Sequence, residues 1–191
     1  GGVTGNAAWS VAFWMKSTQN ATRAHMVGWG THTTSGKRAS ISFDAMKVRL
    51  DNWGGLWTSF NTYGDNQWHH VLFVKPNNSS SLALYLDGAA VSITPSTGNF
   101  NIASGSALTI GSALPGDGGS SFIGFLDELR VYDTELNATD ATVLYNGGLG
   151  IGSAPTAPFT PVISGTELSN SGSVPVSVTF TRKGSNLAFT G

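Results

Sequence analysis

The sequence predicts an all-β fold, a jelly-roll sandwich of two antiparallel sheets with one short helix. Three observations carry that prediction. Short apolar stretches alternate with polar residues at a period of two, the mark of half-buried strands. Turn dipeptides and loops rich in Gly, Asn and Ser separate those stretches. Only 11% of the 191 residues are charged and 25 are glycine, so uncharged polar side chains and tight turns stand where a helical protein would carry Glu, Lys and Arg.

The first strand is expected over 9–16, where Trp9, Val11, Phe13 and Met15 alternate with smaller or polar residues. A second apolar segment, 24–30, ends in Gly28-Trp29-Gly30. Residues 40–44, with Ile41 and Phe43, and 47–52, with Val48 and Leu50, read as a hairpin pair. Residues 68–75 and 82–87 flank the polar loop 76–81. Asp87-Gly88 is a tight-turn dipeptide that leads into a strand over 89–93. Strands over 107–111 and 122–132 complete the set, on either side of the Gly-rich loop 115–121. One helix is expected over 138–146, with Asn137 as N-cap, Asp140 three residues on, and Gly147 able to take the left-handed position past its end. Val11, Phe13, Val71, Phe73, Leu84, Leu86 and Leu129 are the expected core, and Trp9 and Trp68 are expected to join it.

The texture changes after Gly147. The core domain is expected over 1–148, followed by a linker over 149–161 that holds three prolines. Residues 162–191, with Val162-Ile163 and the run Val174-Pro175-Val176-Ser177-Val178-Thr179-Phe180-Thr181, read as the first strands of a further β domain too short to close a sandwich alone. The chain opens at Gly1, without Met or a signal-peptide pattern, and so reads as an internal piece of a longer protein.

Several functions are excluded at this level. Net charge is −1 and the ten basic residues form no stripe, so nucleic acid is not an expected partner. No apolar run reaches the length of a membrane span, so no membrane insertion is expected. The absence of cysteine removes thiol catalysis and Cys-type zinc sites.

Three stretches then line up in order: Trp9-Ser10-Val11-Ala12-Phe13-Trp14-Met15-Lys16; Gln67-Trp68-His69-His70-Val71 with Leu82-Ala83-Leu84-Tyr85-Leu86-Asp87-Gly88; and Gly124-Phe125-Leu126-Asp127-Glu128-Leu129-Arg130-Val131-Tyr132. Together, over about residues 1–147, they resemble the laminin-G-like jelly rolls of the concanavalin-A-like lectin and glucanase superfamily. The resemblance departs at the start, where the family's opening strand and acidic loop have no counterpart, which implies a first strand that is absent or supplied by another piece of chain. The tail from Val162 resembles the start of a bacterial immunoglobulin-like repeat, and such strings of modules imply a large secreted or cell-surface bacterial protein.

Candidate site residues divide by chemistry. His69 and His70 are neighbours on a strand, point to opposite faces and cannot chelate one ion together, so they read as structural. Retaining glycoside hydrolases need two carboxyl groups about 5–5.5 Å apart. The acidic ladder at alternate strand positions that the superfamily's glucanases use has no counterpart here, because Asp127 and Glu128 diverge, Asp51 stands alone and Asp44 ends a strand. The resemblance implies a different use for Asp127, as the carboxylate of a structural calcium ion completed by loop carbonyls. Trp53 and Trp57, around the Gly54-Gly55 turn, and Trp29, between two glycines, are candidate stacking faces for a sugar ring. Asn52 and Asp117, the latter in the 116–121 loop, are the candidate polar contacts. The alternative for Trp53 and Trp57 is an anchoring role in the core.

The leading functional expectation is a non-catalytic glycan- or polysaccharide-binding module of a larger secreted or cell-surface protein, beside neighbouring domains of the same chain. A structural or adhesive domain is the alternative, and a glycoside hydrolase is the third reading, without its carboxylates.

Overall fold

Alternation in the sequence becomes two stacked sheets in the computed structural model, which describes residues 3–104, 108–150, 178–182 and 185–189. In chain order the strands are β1 (Trp9–Lys16), β2 (Ala24–Gly30), β3 (Arg38–Asp44), β4 (Lys47–Asp51), β5 (Leu56–Thr58), β6 (His69–Lys75), β7 (Ala83–Leu86), β8 (Ala89–Val91), β9 (Thr109–Ile110), β10 (Ser120–Ser121) and β11 (Phe125–Tyr132). Then come the helix α1 (Ala138–Tyr145) and the strands β12 (Val178–Arg182) and β13 (Ser185–Phe189). The first sheet runs β13-β12-β11-β1-β6-β7-β8 and the second β10-β2-β3-β4-β5, with β9 also paired to β2. Pairing is antiparallel except for β2 with β10 and β11 with β12. The chain leaves the first sheet after β1, builds the second with β2 to β5, returns for β6 to β8, and crosses twice more for β9, β10 and β11. Such repeated crossing makes the jelly roll.

One core fills the space between the sheets. Val11, Phe13, Val71 and Phe73 from the first sheet meet Met26, Ile41, Phe43, Val48 and Leu50 from the second, all buried. Leu84, Leu86 and Leu129 join them, as the sequence predicts. The other face of β1 is buried too. There α1 lays Ala141 and Leu144 over Ala12, Leu72, Val74 and Tyr132. Asn137 caps this helix as expected: its side chain accepts from the N–H groups of Thr139 and Asp140, and the Asp140 carboxylate accepts from the N–H of Asn137.

Gly147 takes the left-handed conformation expected of it past the helix (φ 62°, ψ 27°), after Asn146, which is left-handed too (φ 48°, ψ 45°). Other expectations are corrected. Trp68 precedes β6, is 37% exposed, and leans on Phe125 at 6.2 Å between ring centroids, so it is not a core residue. The strand expected over 107–111 shrinks to β9, and β5 forms where no strand is expected. The opening segment is attached through Gly5 and Ile102, which exchange backbone hydrogen bonds of 2.8 and 2.9 Å. The edge of β11 away from β1 carries β12, paired at Val131 with Phe180 and Tyr132 with Thr181. Of the immunoglobulin-like start expected over 162–191, only 178–182 and 185–189 are described, as β12 and β13 on the edge of the first sheet, and most of the expected linker lies outside the described residues. Among the described residues no helix is long and apolar enough to cross a membrane.

Candidate functional site

The second sheet turns an ordered set of charges away from the core. With Ala39, Ile41, Phe43, Val48 and Leu50 inward, alternation sends Arg38, Ser40, Ser42, Arg49 and Asp51 to the opposite face. Ser40 pairs with Asp51 and Ser42 with Arg49 across β3 and β4, so Arg38 lies diagonally from Asp51. The loop between β9 and β10 folds back over this face. Its Leu114 covers Gly28, and its Gly118 carbonyl lies 3.1 Å from His25 Nε2. A side chain at Gly119 would start 2.6 Å from that ring, on a backbone at φ +131°, so the close approach requires glycine.

This loop delivers the Asp117 carboxylate, wholly buried, between the guanidinium groups of Arg23 and Arg38. Arg38 in turn binds Asp51 at 2.8 Å, Asp51 binds Arg49 at 2.9 Å, and Arg49 binds Asp44. The result is an unbroken alternating chain, Arg23-Asp117-Arg38-Asp51-Arg49-Asp44, across the sheet. His32 Nδ1 stands 3.3 Å from Asp117 and also meets Arg38. Burial works to raise the pKa of Asp51, but hydrogen bonds from Arg38, the Trp53 N–H and Arg49 outweigh it and hold the carboxyl below the ordinary carboxylate range. For His25, burial pushes the pKa down.

Trp53 stands beside the middle of this chain, at Arg38 and Asp51. Its ring is 51% exposed, with the His32 ring edge-on at 4.2 Å between centroids and the Arg38 guanidinium 5.1 Å from its centre. Its backbone is left-handed, φ 73°, a conformation unfavourable for a bulky residue. The neighbours enforce it. Asp51 Oδ1 accepts from the Trp53 N–H at 2.6 Å. Asn52 Oδ1 accepts from the N–H groups of Gly54 and Gly55 at 3.0 and 2.6 Å, while its Nδ2 donates to the Asn99 carbonyl at 2.9 Å. Gly55 lies so close to Gly98 that a Cβ on it would sit 2.7 Å from the Gly98 Cα. The 31–37 loop also lines an open polar groove of about 460 Å³, with Thr31, Thr33, Thr34, Lys37, Asn101 and Ser104.

The sequence-predicted residues thus fall into two groups. Trp53, Asn52 and Asp117 come together here, although Asn52 is fully buried and holds the loop rather than facing solvent. Trp57 and Trp29 do not join them. Trp57 is 1% exposed and stacks on Phe100 at 5.3 Å, and Trp29 lies edge-on to Trp9 and donates its Nε1–H to the Val3 carbonyl, so neither offers a face to a ligand. Asp127 lies apart, exposed on β11, and its Oδ1 accepts from the Glu128 N–H at 2.7 Å. Calcium takes six to eight oxygens. Among the described residues no three His, Cys, Asp or Glu side chains gather to hold a metal. His69 bonds to Asp87 at 2.8 Å and His70 is buried on the opposite face, as neighbours on a strand must be. Sequence reasoning misses Arg38, Arg49, Asp51 and His32. For Arg38, Arg49 and Asp51 the available signal was their period of two opposite Ile41, Phe43, Val48 and Leu50; His32, in the loop between β2 and β3, carried none.

A family model described as the concanavalin A-like lectin/glucanases superfamily matches residues 1–142. No curated protein matches the chain. Several solved structures share its fold. A native heptameric SAP-like pentraxin from Limulus polyphemus is 18% identical, with 75% of this chain and 73% of that chain covered and a TM-score of 0.54. Domain 4 of AbnA, a GH43 extracellular arabinanase from Geobacillus stearothermophilus solved with arabinotriose, is 22% identical over 73% of this chain and 66% of that one, TM-score 0.52. The CBM40 of the Ruminococcus gnavus IT-sialidase, bound to α2,3-sialyllactose, is 11% identical over 72% and 82%, TM-score 0.57. At these identities the likeness is one of fold.

Proposed function

Since the chain belongs to the concanavalin A-like lectin/glucanases superfamily, a fold that hosts binding and catalysis alike, the site must decide between them, and we propose that this one is a non-catalytic glycan-binding module of a larger secreted or cell-surface protein. The observation that carries the reading is Trp53. A half-exposed indole, held in a strained backbone by an aspartate, an asparagine-stapled turn and a close glycine contact, rests on His32 and Arg38 and leaves half of its surface open. Strained residues of this kind cluster at ligand clamps. Its open ring suits the C–H face of a pyranose or furanose, and the Asp and Arg side chains beside it suit the hydroxyl groups.

Catalysis is a poor use of the same residues. General acid action needs a carboxyl with a raised pKa, and Asp51 is held below the ordinary range by its cations. Asp117 is wedged between two guanidinium groups.

A glycan array followed by titration calorimetry on the best ligand tests the reading. Trp53→Ala is expected to lower affinity roughly tenfold or more, since a buried aromatic contact is worth about 1–3 kcal/mol. A domain that binds its glycan equally well without the indole does not use this site, and one that binds no glycan leaves the structural or adhesive alternative.

A further inference from the structure

We infer that the face beside Trp53 selects neutral glycans and rejects those bearing carboxylates, because each of its guanidinium groups already holds a carboxylate of the protein. The inference rests on the glycan-binding reading and adds the ligand class. The arginines of the face are Arg23, Arg38 and Arg49, and the aspartates Asp44, Asp51 and Asp117; they alternate along one bonded chain and their charges cancel. His25, on the same face, has its pKa lowered by burial, which keeps it from adding a cation near neutral pH. Lys47 projects from the turn end of β4, four residues from Asp51 and so about 13 Å along the strand, away from Trp53.

A carboxylate-bearing sugar placed on Trp53 would meet this chain at Arg38 or Arg49. At Arg38, whose side chain is wholly buried, pairing would mean displacing Asp117 or Asp51; at Arg49, which stays 13% exposed, the incoming carboxylate would share the guanidinium with Asp51 and Asp44 and be repelled by both. The Arg38 side chain is wholly buried and so is that of Asp117. Asp117 displaced from Arg38 would keep only Arg23 as its cation at a wholly buried carboxylate, which is unfavourable. Left in place, the aspartates repel the incoming charge. Hydroxyl groups face neither obstacle. An ionised carboxylate has about four acceptor sites, so Asp51 and Asp44 can take a sugar O–H without releasing an arginine. Such charge-assisted bonds are stronger than neutral ones. The face is thus built to read hydroxyls while contributing no net attraction for an anion.

The test is calorimetric titration of the intact chain with matched pairs, galactotriose against trigalacturonate and lactose against sialyllactose, at low and high salt. The neutral member should bind at least roughly tenfold more tightly, with little salt dependence. Asp51→Asn leaves Arg38 and Arg49 one carboxylate short, and Asp44→Asn does the same for Arg49 at the more exposed end should the first variant misfold. Either folded variant should gain affinity for trigalacturonate, and lose that gain at high salt. An acidic glycan that binds wild type as tightly as its neutral partner and is lost in Trp53→Ala overturns the selectivity while the glycan site stands. Folded variants that gain nothing for the acidic trisaccharide also count against it. If no glycan binds at all, the glycan reading fails and takes this inference with it.

Discussion

At the scale of the residue, Trp53 trades stability for exposure. A left-handed backbone costs a side chain with a Cβ roughly 1–2 kcal/mol, a cost glycine escapes. Trp53→Gly should therefore be more stable than Trp53→Ala by about 1 kcal/mol in denaturant melts, reversing the usual order of the two residues, and both should lose the ligand. If alanine is the more stable, the φ of 73° is not a constraint imposed by the loop. The same residue shows how far the sequence could be read. A tryptophan beside Gly-Gly looks alike whether it faces solvent or core, so Trp53 and Trp57 receive one assignment. What separates them is strand phase: Trp57 pairs with inward Leu50, and Trp53 lies in the turn before that strand begins. Asp117 is legible as a polar group in a glycine-rich loop, but Arg38 is not, since an arginine at the start of a strand reads as solvated until a distant loop closes over it.

At the scale of the element, α1 converts a half-buried strand into a fully buried one. The alternation of β1 correctly predicts Trp9, Val11, Phe13 and Met15 as core, but Ser10 and Ala12 are equally buried because the helix covers their face. Nothing local in β1 announces that cover. The helix itself was legible, from Asn137, Asp140 and the glycines beyond, because caps are local chemistry. Its hold on the sheet rests on Leu144 and Ala141. Leu144→Ala should cost about 2–4 kcal/mol, within the range for a buried leucine, whereas Asn137→Ala should cost about 1 kcal/mol through the cap alone. Equal losses from the two would mean that capping, not packing, fastens the helix. Ser10 adds a second tie, its hydroxyl donating to the Thr134 carbonyl at 2.7 Å and accepting from the Leu136 N–H at 3.0 Å, just before the helix starts.

At the scale of the whole molecule, alternation tells which face of a strand is inward but not which strand lies beside it, so the sandwich class was readable and the order of the two sheets was not. In the first sheet β1 and β6 are buried on both faces, and that places an imidazole where water cannot reach. His70 is fully buried between β1 and β7, its ring 5.2 Å from Trp14, with no hydrogen-bond partner on either nitrogen among the described residues. Burial, followed by the nearby Arg130 cation, lowers its pKa from 6.5 to about 4. The folded state thus accepts the proton only below about 4, while the unfolded chain accepts it near 6.5. The sign follows: this contribution to stability is complete above pH 6.5, declines as pH falls towards 4, and is gone below that, a total on the order of 3 kcal/mol. His69 works in the opposite sense, because its bond to Asp87 raises its pKa and so favours the folded state below 6.5. Melting temperature measured across this window should fall as the solution is acidified in the wild-type chain, fall less in His70→Leu, and fall more steeply in His69→Gln. Parallel curves for the wild type and His70→Leu would show that the buried imidazole does not set the acid limit of the fold.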